Sequence, residues 1–191
     1  MLNKYILILI FSANLFSENN IYHSDASYNA LGQTGLIYIP SAEIHSDKSI
    51  YMTFNRNEFW KIGTLTATPF NWMEASYFYY RPDDLLWGSQ EGLYLDKGFN
   101  VKLTYKPKKI NFPRVAIGLD DFAGTGQFTK EYIISTFETN SIKFSFGLGW
   151  GKFTGESSFS NPISYLIDDF KIRPMESSSS FGGTPQTKKW F

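Results

Sequence analysis

Apolar and polar side chains alternate along most of the chain after residue 48, and this period of two is typical of β-strands with one apolar and one polar face. The clearest stretch is 97–106. Its apolar members are Phe99, Val101, Leu103 and Tyr105, and its polar members are Asn100, Lys102, Thr104 and Lys106. Because successive strand side chains point to opposite faces, each set lies on one face of the predicted strand.

Residues 142–151 repeat the alternation, with Ile142, Phe144, Phe146, Leu148 and Trp150 on one face. Weaker alternation marks five further candidate strands, at 49–55, 61–68, 73–81, 115–119 and 130–136. Turn-forming pieces rich in Pro, Gly and Asp separate several of them. The pattern therefore predicts an all-β fold, an antiparallel meander of about seven strands.

Alternation also occurs in water-soluble β-sandwiches, so it does not by itself place the strands in a membrane. Two features favour a membrane barrel. Strands of about 10 residues match a transmembrane barrel, whereas soluble strands have about 5–6. Aromatic residues near strand ends (Tyr79, Tyr105, Trp150) suit the interfacial girdles of such barrels. We therefore expect part of an outer-membrane β-barrel, incomplete in this chain because bacterial barrels start at about 8 strands. A soluble periplasmic β-sandwich that binds a partner is the alternative.

The N-terminus has the pattern of a secretory signal peptide. Lys4 precedes the apolar run from Tyr5 to Phe11, and Ser12 and Ala13 follow. The run is shorter than the roughly 20 residues of a spanning helix. We predict a signal peptide at 1–17, an extended segment at 18–47, barrel strands at 48–155, and a Ser/Gly-rich loop or truncated remainder at 156–191. A buried N-terminal strand or helix is the alternative reading of the first segment.

Composition narrows the possible functions. The formal net charge is +0, from 18 basic and 18 acidic residues, which gives no field to attract nucleic acid. There are 0 cysteines, so thiol chemistry and cysteine-ligated zinc are excluded. The 2 histidines, His23 and His45, lie in polar, turn-like sequence and are expected at the surface. We predict no cofactor and no metal site.

Four ordered strings cover most of the chain after the signal peptide: GQTGLIYIPSA at 32–42, DKGFNVKL at 96–103, PRVAIGLDDFAGTGQFTKEYIIST at 113–136, and FSFGLGWGKF at 144–153. Together they resemble the YjbH-type exopolysaccharide biosynthesis family. The resemblance implies a non-catalytic outer-membrane protein that takes part in exopolysaccharide or capsule biosynthesis or export. It also implies outer-membrane lipid, polysaccharide and other secretion proteins as partners. Family members are generally longer and many carry a lipoprotein cysteine, so a truncated or split reading frame is expected here.

Structural roles are predicted for the motif residues Gly35, Pro40, Ser41, Gly118, Asp121, Gly124, Gly126, Glu131, Gly149 and Trp150. Glycines allow tight turns or close backbone approach, and Asp120 with Asp121 begins a turn. The rival interpretation makes Asp120, Asp121 and Glu131 an acid/base cluster for glycoside hydrolysis. Adjacent aspartates on a strand point to opposite faces, which favours the structural interpretation.

The polar strand faces are expected to line a lumen and to offer hydrogen bonds to a glycan. The candidate glycan-facing residues are Glu74, Ser76, Tyr80, Asn100, Lys102 and Lys106. A polysaccharide-acting enzyme is the first alternative function, and the soluble binding module is the second.

Overall fold

The fold was determined from a computed structural model that describes residues 26–83, 86–87, 90–91, 95–108, 112–122, 129–139, 142–151, 160–168, 172–176 and 185–189. The predicted signal peptide at 1–17, His23, Gly124 and Gly126 lie outside these residues.

The described chain is all-β apart from one short 3₁₀ turn. In chain order the strands are β1 (Gly35–Leu36), β2 (Ile39–Pro40), β3 (Ser49–Arg56), β4 (Trp60–Phe70), β5 (Met73–Pro82), β6 (Leu86–Trp87), β7 (Gln90–Glu91), β8 (Asp96–Tyr105), β9 (Arg114–Asp120), β10 (Lys130–Glu138), β11 (Lys143–Gly151), β12 (Ile172–Glu176) and β13 (Pro185–Lys189). The 3₁₀ turn is Pro162–Tyr165.

Seven of these strands form one antiparallel sheet in the order β11-β10-β9-β8-β5-β4-β3. They are the seven strands that the alternation predicts, so the all-β antiparallel meander is confirmed. The β6–β7 hairpin lies in the connection between β5 and β8 and leaves the meander order intact. Within the described residues the sheet is open, because β3 and β11 each pair on one side only.

Within the predicted remainder at 156–191 the structure describes 160–168, 172–176 and 185–189. Asn161 caps the 3₁₀ turn by accepting a hydrogen bond from the backbone N–H of Ile163. Strands β12 and β13 then pair as a separate antiparallel hairpin. No helix in the described part of the chain is long and apolar enough to cross a membrane.

The polar face of the sheet is buried and the apolar face is exposed. On β8, Asn100 and Lys102 are 6% and 1% exposed, whereas Leu103 is 47% exposed. The same inversion holds on β4 and β5, where Thr64, Thr66, Glu74 and Ser76 are buried. On β9 and β10 the buried face also carries Ala116, Tyr132 and Ile134. The exposed set includes Met52, Phe54, Leu65, Ile117, Ile133, Phe146 and Leu148. A water-soluble sheet has the opposite arrangement, with its apolar face against the core.

The N-terminal segment, residues 26–48, covers the polar face. Hydroxyl groups on the strands donate hydrogen bonds to its backbone: Thr64 to the carbonyl of Leu31 and Thr66 to the carbonyl of Gly32, both at 2.8 Å. At the other end of the sheet, the Thr104 hydroxyl donates to the carbonyl of Ala42 at 2.6 Å. Threonine suits these positions because it combines high strand propensity with a hydroxyl donor.

Gly32 is required where the segment crosses β3 and β4. Its φ of +82° is a left-handed conformation that favours glycine. A Cβ at this position would also fall against the side chains of Thr53 and Thr64. The glycine therefore lets the segment reach the sheet closely enough for its carbonyls to accept the threonine hydroxyls.

Candidate functional site

A buried ion pair lies at the centre of the polar face. Glu74 on β5 and Lys102 on β8 are register partners, so their side chains lie side by side on the same face. The Lys102 Nζ is 3.1 Å from the Glu74 Oε1, and the two side chains are 1% and 2% exposed. Charges so deeply buried need further hydrogen bonds to offset the loss of water.

Thr34 of the N-terminal segment supplies several of those hydrogen bonds. Its backbone N–H donates to the Glu74 Oε1 at 3.1 Å, and its hydroxyl donates to the other carboxylate oxygen. The carbonyl of Thr34 accepts from the Lys102 Nζ at 3.0 Å. The Tyr51 hydroxyl donates to the Glu74 Oε2 at 3.0 Å. The ion pair and the docked segment therefore depend on each other.

His45 packs beside this ion pair and not at the open surface. Its ring stacks on Tyr28 at a centroid distance of 4.2 Å and meets the edge of Tyr51 at 4.9 Å. Burial lowers the pKa of His45, an effect that the charge of Glu74 opposes. The surface position expected for His45 is thus wrong, because the N-terminal segment folds back over the sheet and takes this residue with it.

A second polar cluster surrounds Asp120 at the end of β9. The side-chain amide of Gln33 donates to the Asp120 Oδ1 at 2.8 Å, and the Lys130 Nζ is 3.3 Å from the Oδ2. Asn100 links this cluster to the strands by donating to the Ser76 hydroxyl at 3.0 Å. The side-chain carbonyl oxygen of Asn100 accepts a hydrogen bond from the backbone N–H of Asp121 at 2.9 Å.

Between this cluster and the β1–β2 hairpin lies a cavity of about 430 Å³, within the range of small-molecule pockets. It is lined by Leu31, Gln33, Tyr38, Ile39, Ile62, Phe78, Tyr80, Asn100, Asp120, Asp121 and Lys130. The polar groups come from the Asp120 cluster, and aliphatic and aromatic side chains form the remaining walls. We call it the Asp120 cavity.

Asp120 and Asp121 both border the Asp120 cavity, so the expectation that they point to opposite faces is wrong. The expectation assumed that the strand continues through both residues. β9 ends at Asp120, and Asp121 has a φ of 52°, which breaks the strand alternation. Asp121 thus has the turn role that the sequence suggests, and its side chain remains on the buried side.

Glu131, the third member of the suggested acid/base cluster, is not among the residues that line this cavity. Its carboxylate accepts a hydrogen bond from the side-chain amide of Asn161 at 3.2 Å, next to the 3₁₀ turn. Its register partner on β11 is Trp150, which is also buried. The structure therefore separates Glu131 from the two aspartates.

The predicted glycan-facing residues occupy three different environments. Glu74 and Lys102 form the buried ion pair under Thr34, and Ser76 is bonded to Asn100. Tyr80 and Asn100 line the Asp120 cavity, and Lys106 is exposed just beyond β8. Contact with a glycan stays a prediction for all six. Tyr80 and Asn100 are the best placed for it.

Sequence reasoning missed Gln33, Tyr38 and Lys130 as cavity residues. Gln33 and Tyr38 belong to the GQTGLIYIPSA string at 32–42, whose side chains had been given no binding role. The resemblance of this string to the family was the one feature of the sequence that could have indicated a role for these two side chains. Lys130 could be found only from the register that places it opposite Asp120.

The other motif residues serve packing. At Gly118 a Cβ would collide with the ring of Tyr132, which lies across this glycine from the neighbouring strand. Gly149 is the register partner of Tyr132 on the other side. Gly35 leaves room for the backbone of Ile39 and Pro40 in the β1–β2 hairpin. Pro40 and Ser41 are buried where the segment leaves that hairpin.

Among the residues described, no three His, Asp or Glu side chains gather into a group that could hold a metal ion.

Comparison with known proteins assigns the family. The YjbH family model, described as "Exopolysaccharide biosynthesis protein YbjH", matches residues 27–191. The chain belongs to the YjbH family of exopolysaccharide biosynthesis proteins. It is 25% identical over 173 residues to the "Uncharacterized lipoprotein YjbH" of Escherichia coli (strain K12), an alignment that covers 88% of this chain. The chain spans 25% of the length of that YjbH relative. No solved structure matches the chain.

We predict that Lys102→Met lowers the free energy of unfolding by about 3–5 kcal/mol, because it leaves the Glu74 carboxylate buried without its ion-pair partner. The double variant Glu74→Gln/Lys102→Met should recover part of the loss. The free energies of unfolding of the single and the double variant are measured by guanidinium titration in detergent micelles, with tryptophan fluorescence as the signal.

The matched control is Lys61→Met, which removes the ion pair between Lys61 and Asp83, whose side chains are 37% and 29% exposed. We expect a cost below about 1 kcal/mol there. Equal losses for Lys61→Met and Lys102→Met would contradict the central role of the buried pair.

Proposed function

We propose that the chain forms part of an outer-membrane β-barrel that takes part, without catalysis, in exopolysaccharide biosynthesis or export. The observation that carries the proposal is the inverted polarity of the sheet. Its outward face presents apolar side chains such as Leu103 and Phe146, at 47% and 66% exposure. Its inward face is polar where the N-terminal segment docks on β4, β5 and β8.

Water would not stabilise this arrangement. Contiguous exposed apolar surface of this extent is rare in soluble monomers and marks a surface that contacts lipid or protein. A bilayer supplies a hydrocarbon environment for all the outward strands at once, and a barrel also satisfies every backbone group within the membrane. The polar inner face is then the lumen side, as in outer-membrane barrels. The soluble β-sandwich is disfavoured, because its apolar face would be the buried one.

Family membership supports the polysaccharide part of the proposal, since the family is described by exopolysaccharide biosynthesis. The E. coli relative is called a lipoprotein, which supports a location in the cell envelope. The strand architecture supports an outer-membrane placement, because β-barrels are the strand-based way to span a membrane.

The lengths of the connections indicate how the strands would be oriented. Residues 57–59, 83–95 and 121–129 join strands at one end of the sheet, and 71–72, 106–113 and 139–142 join them at the other. The two longest connections, 83–95 and 121–129, are both at the first end, although 57–59 is short. Bacterial outer-membrane barrels have short periplasmic turns and longer extracellular loops. The first end is therefore extracellular in this proposal.

A polysaccharide-acting enzyme is the competing function, and one observation bears on it: Asp120 and Asp121 share a cavity. Asp120 already accepts from Gln33 and pairs with Lys130, as a structural carboxylate does. The backbone N–H of Asp121 is bonded to Asn100 as part of the turn. These contacts support a binding role over a hydrolytic one.

We predict that a bilayer-confined quencher reaches fluorophores attached to Leu103→Cys and Phe146→Cys, since these side chains face hydrocarbon. The chain has 0 cysteines, so each label occupies a single position. Brominated acyl chains should quench both labels, and iodide in the water should not. The fluorescence of the protein reconstituted in lipid vesicles gives both readings.

Lys106→Cys and Thr139→Cys are matched controls, because both residues are exposed in the connections outside the strands. Iodide should quench these labels and bromine near the bilayer centre should not. Iodide quenching at all four positions would show that the apolar face meets water. Protection of Leu103→Cys and Phe146→Cys from both quenchers would show that protein covers it, and either result would reject the barrel.

The orientation leads to a further prediction for intact cells. Glu58→Cys lies in the connection 57–59 and Asn71→Cys in the connection 71–72, and both side chains are exposed. A membrane-impermeant maleimide should label Glu58→Cys on intact cells and Asn71→Cys only after the outer membrane is opened. The reverse order would invert the orientation, and labelling of both sites only after the outer membrane is opened would argue against an outer-membrane location.

The non-catalytic role predicts that the purified protein releases no reducing ends from the exopolysaccharide of its host. Deleting the gene should reduce secreted polysaccharide, and Asp121→Asn should restore secretion to the extent that it folds. Depolymerisation by the wild type, abolished in Asp121→Asn with an unchanged circular dichroism spectrum, would instead establish the enzyme.

A further inference from the structure

Three basic residues lie side by side on the outward face, at one end of β3, β4 and β5. Arg56 of β3 is the register partner of Lys61 on β4, and Lys61 is the register partner of Arg81 on β5. Register partners share a face of the sheet. This is the face on which Phe54, two residues before Arg56, is 77% exposed. We call Arg56, Lys61 and Arg81 the basic row.

The basic row places like charges directly opposite one another, which is destabilising between neighbouring strands. Asp83 offsets part of the repulsion, because its carboxylate is 3.0 Å from the Lys61 Nζ and 3.6 Å from the Arg81 Nε. Arg56 forms no ion pair with the described part of the chain, and neither does the exposed Glu58 in the adjacent connection. An anion bound between Arg56 and Lys61 would relieve the remaining repulsion.

Hydrogen bonds hold the turn beside the basic row. The side-chain carbonyl of Asn57 accepts from the backbone N–H of Phe59 at 2.9 Å. The backbone N–H of Asp83 donates to the carbonyl of Phe59 at 2.8 Å, which fixes the Asp83 carboxylate in its place. The Lys61 and Arg81 side chains are thereby held by Asp83 while they remain 37% and 44% exposed. Each has more donors than this carboxylate uses, so the others are open to a ligand.

The basic row borders the apolar surface of the sheet. Two residues along β3 and β5, Phe54 and Tyr79 are 77% and 45% exposed on the same face. The corresponding row toward the other end of these strands is Ile50, Ala67 and Ala75, which is uncharged. With a rise of about 3.3 Å per residue the two rows are roughly 20 Å apart, close to the ~25 Å apolar band of a barrel. The positive charge thus lies where lipid headgroups would meet these strands.

A phosphate group has the chemistry that the basic row fits. A phosphate monoester carries roughly two negative charges at neutral pH and three strong acceptor oxygens. Guanidinium groups bind such oxygens through paired N–H donors, and a lysine ammonium adds a point charge. In the orientation proposed above, this end of the sheet meets the outer leaflet. The outer leaflet of a Gram-negative outer membrane contains lipid A, an acylated disaccharide that carries phosphate groups.

We propose that the basic row binds a phosphate group of lipid A in the outer leaflet. This rests on the proposed function, from which it takes the barrel and its orientation. Arg56 and Arg81 bond the phosphate oxygens from either side of Lys61, and the acyl chains lie along the apolar surface beside Phe54 and Tyr79. Bound phosphate offsets the repulsion within the row, so lipid A stabilises the folded chain.

The test is a urea titration of the full chain in micelles of an uncharged detergent, with tryptophan fluorescence as the signal and lipid A as the probe. Lipid A should raise the unfolding midpoint. The same lipid after enzymatic removal of its phosphates should need about tenfold higher concentration for the same shift. Added salt should weaken the effect of the phosphorylated lipid, because salt screens exposed charges.

Arg56→Gln removes the cation of the basic row that lies beyond Asp83. Without lipid A it should keep or raise the unfolding midpoint, since a like charge opposite Lys61 is removed. With lipid A it should need about tenfold more lipid than the wild type for the same shift. A midpoint that falls without lipid A, with an unchanged response to the lipid, would mean that Arg56 is structural and would overturn the proposal.

Lys48→Gln is the matched control. It also removes one exposed positive charge, but at the other end of β3. Its response to lipid A should equal that of the wild type. An equal loss of response in Arg56→Gln and Lys48→Gln would show that overall charge attracts the lipid, and the basic row would be rejected as a site.

Two further titrations separate lipid A from soluble anions. One uses the phosphorylated disaccharide of lipid A without its acyl chains, and the other uses anionic oligosaccharides from the host's exopolysaccharide. Both should shift the midpoint much less than intact lipid A. If either acts as strongly, the ligand is a soluble anion and the lipid assignment is wrong.

The lipid quenching at Leu103 and Phe146 is independent of the basic row. Equal effects of phosphorylated and dephosphorylated lipid A, with lipid quenching intact, would therefore reject the headgroup site alone. Loss of lipid quenching would reject the barrel on which the proposed function depends.

Discussion

The buried contact between Thr34 and the Glu74–Lys102 ion pair is the interaction on which the rest of the structure depends. An isolated pair of charges on a sheet face would remain in water, because burial without full hydrogen bonding costs several kcal/mol. Thr34 supplies two donors and an acceptor, and Tyr51 adds a third donor. The N-terminal segment can therefore lie flat on a polar surface and exclude water from it.

Covering the polar face has a direct consequence for the opposite one. A single-layer sheet has two faces, and the N-terminal segment covers the inward one. On the outward face the described residues bury Glu131 and Trp150 beside the 3₁₀ turn, where Asn161 donates to Glu131. Apolar residues such as Leu65 and Ile117 stay exposed elsewhere on this outward face. The proposal of a membrane barrel therefore depends on the arrangement of the N-terminal segment more than on the number of strands.

The same segment also shapes the Asp120 cavity. Gln33 anchors it to Asp120, and the β1–β2 hairpin projects Tyr38 and Ile39 beside the end of the sheet. The cavity thus forms between side chains on the strands of the sheet and side chains of the β1–β2 hairpin, which are far apart in the sequence. A cavity built in this way can change its lining through the hairpin while the sheet that carries it stays constant.

The chain's own sequence determined the seven strands, their order as a meander and the two faces of each strand, because side-chain alternation is a local property of extended backbone. It did not determine which face is covered. That depended on contacts such as Thr34 with Glu74, which join residues 40 positions apart. Nor did it show that Asp121 turns back to share the cavity of Asp120, since a φ of 52° at a strand end is set by tertiary contacts with Asn100. The local alternation thus determined the strands, and long-range contacts determined which face is buried and where the Asp120 cavity forms.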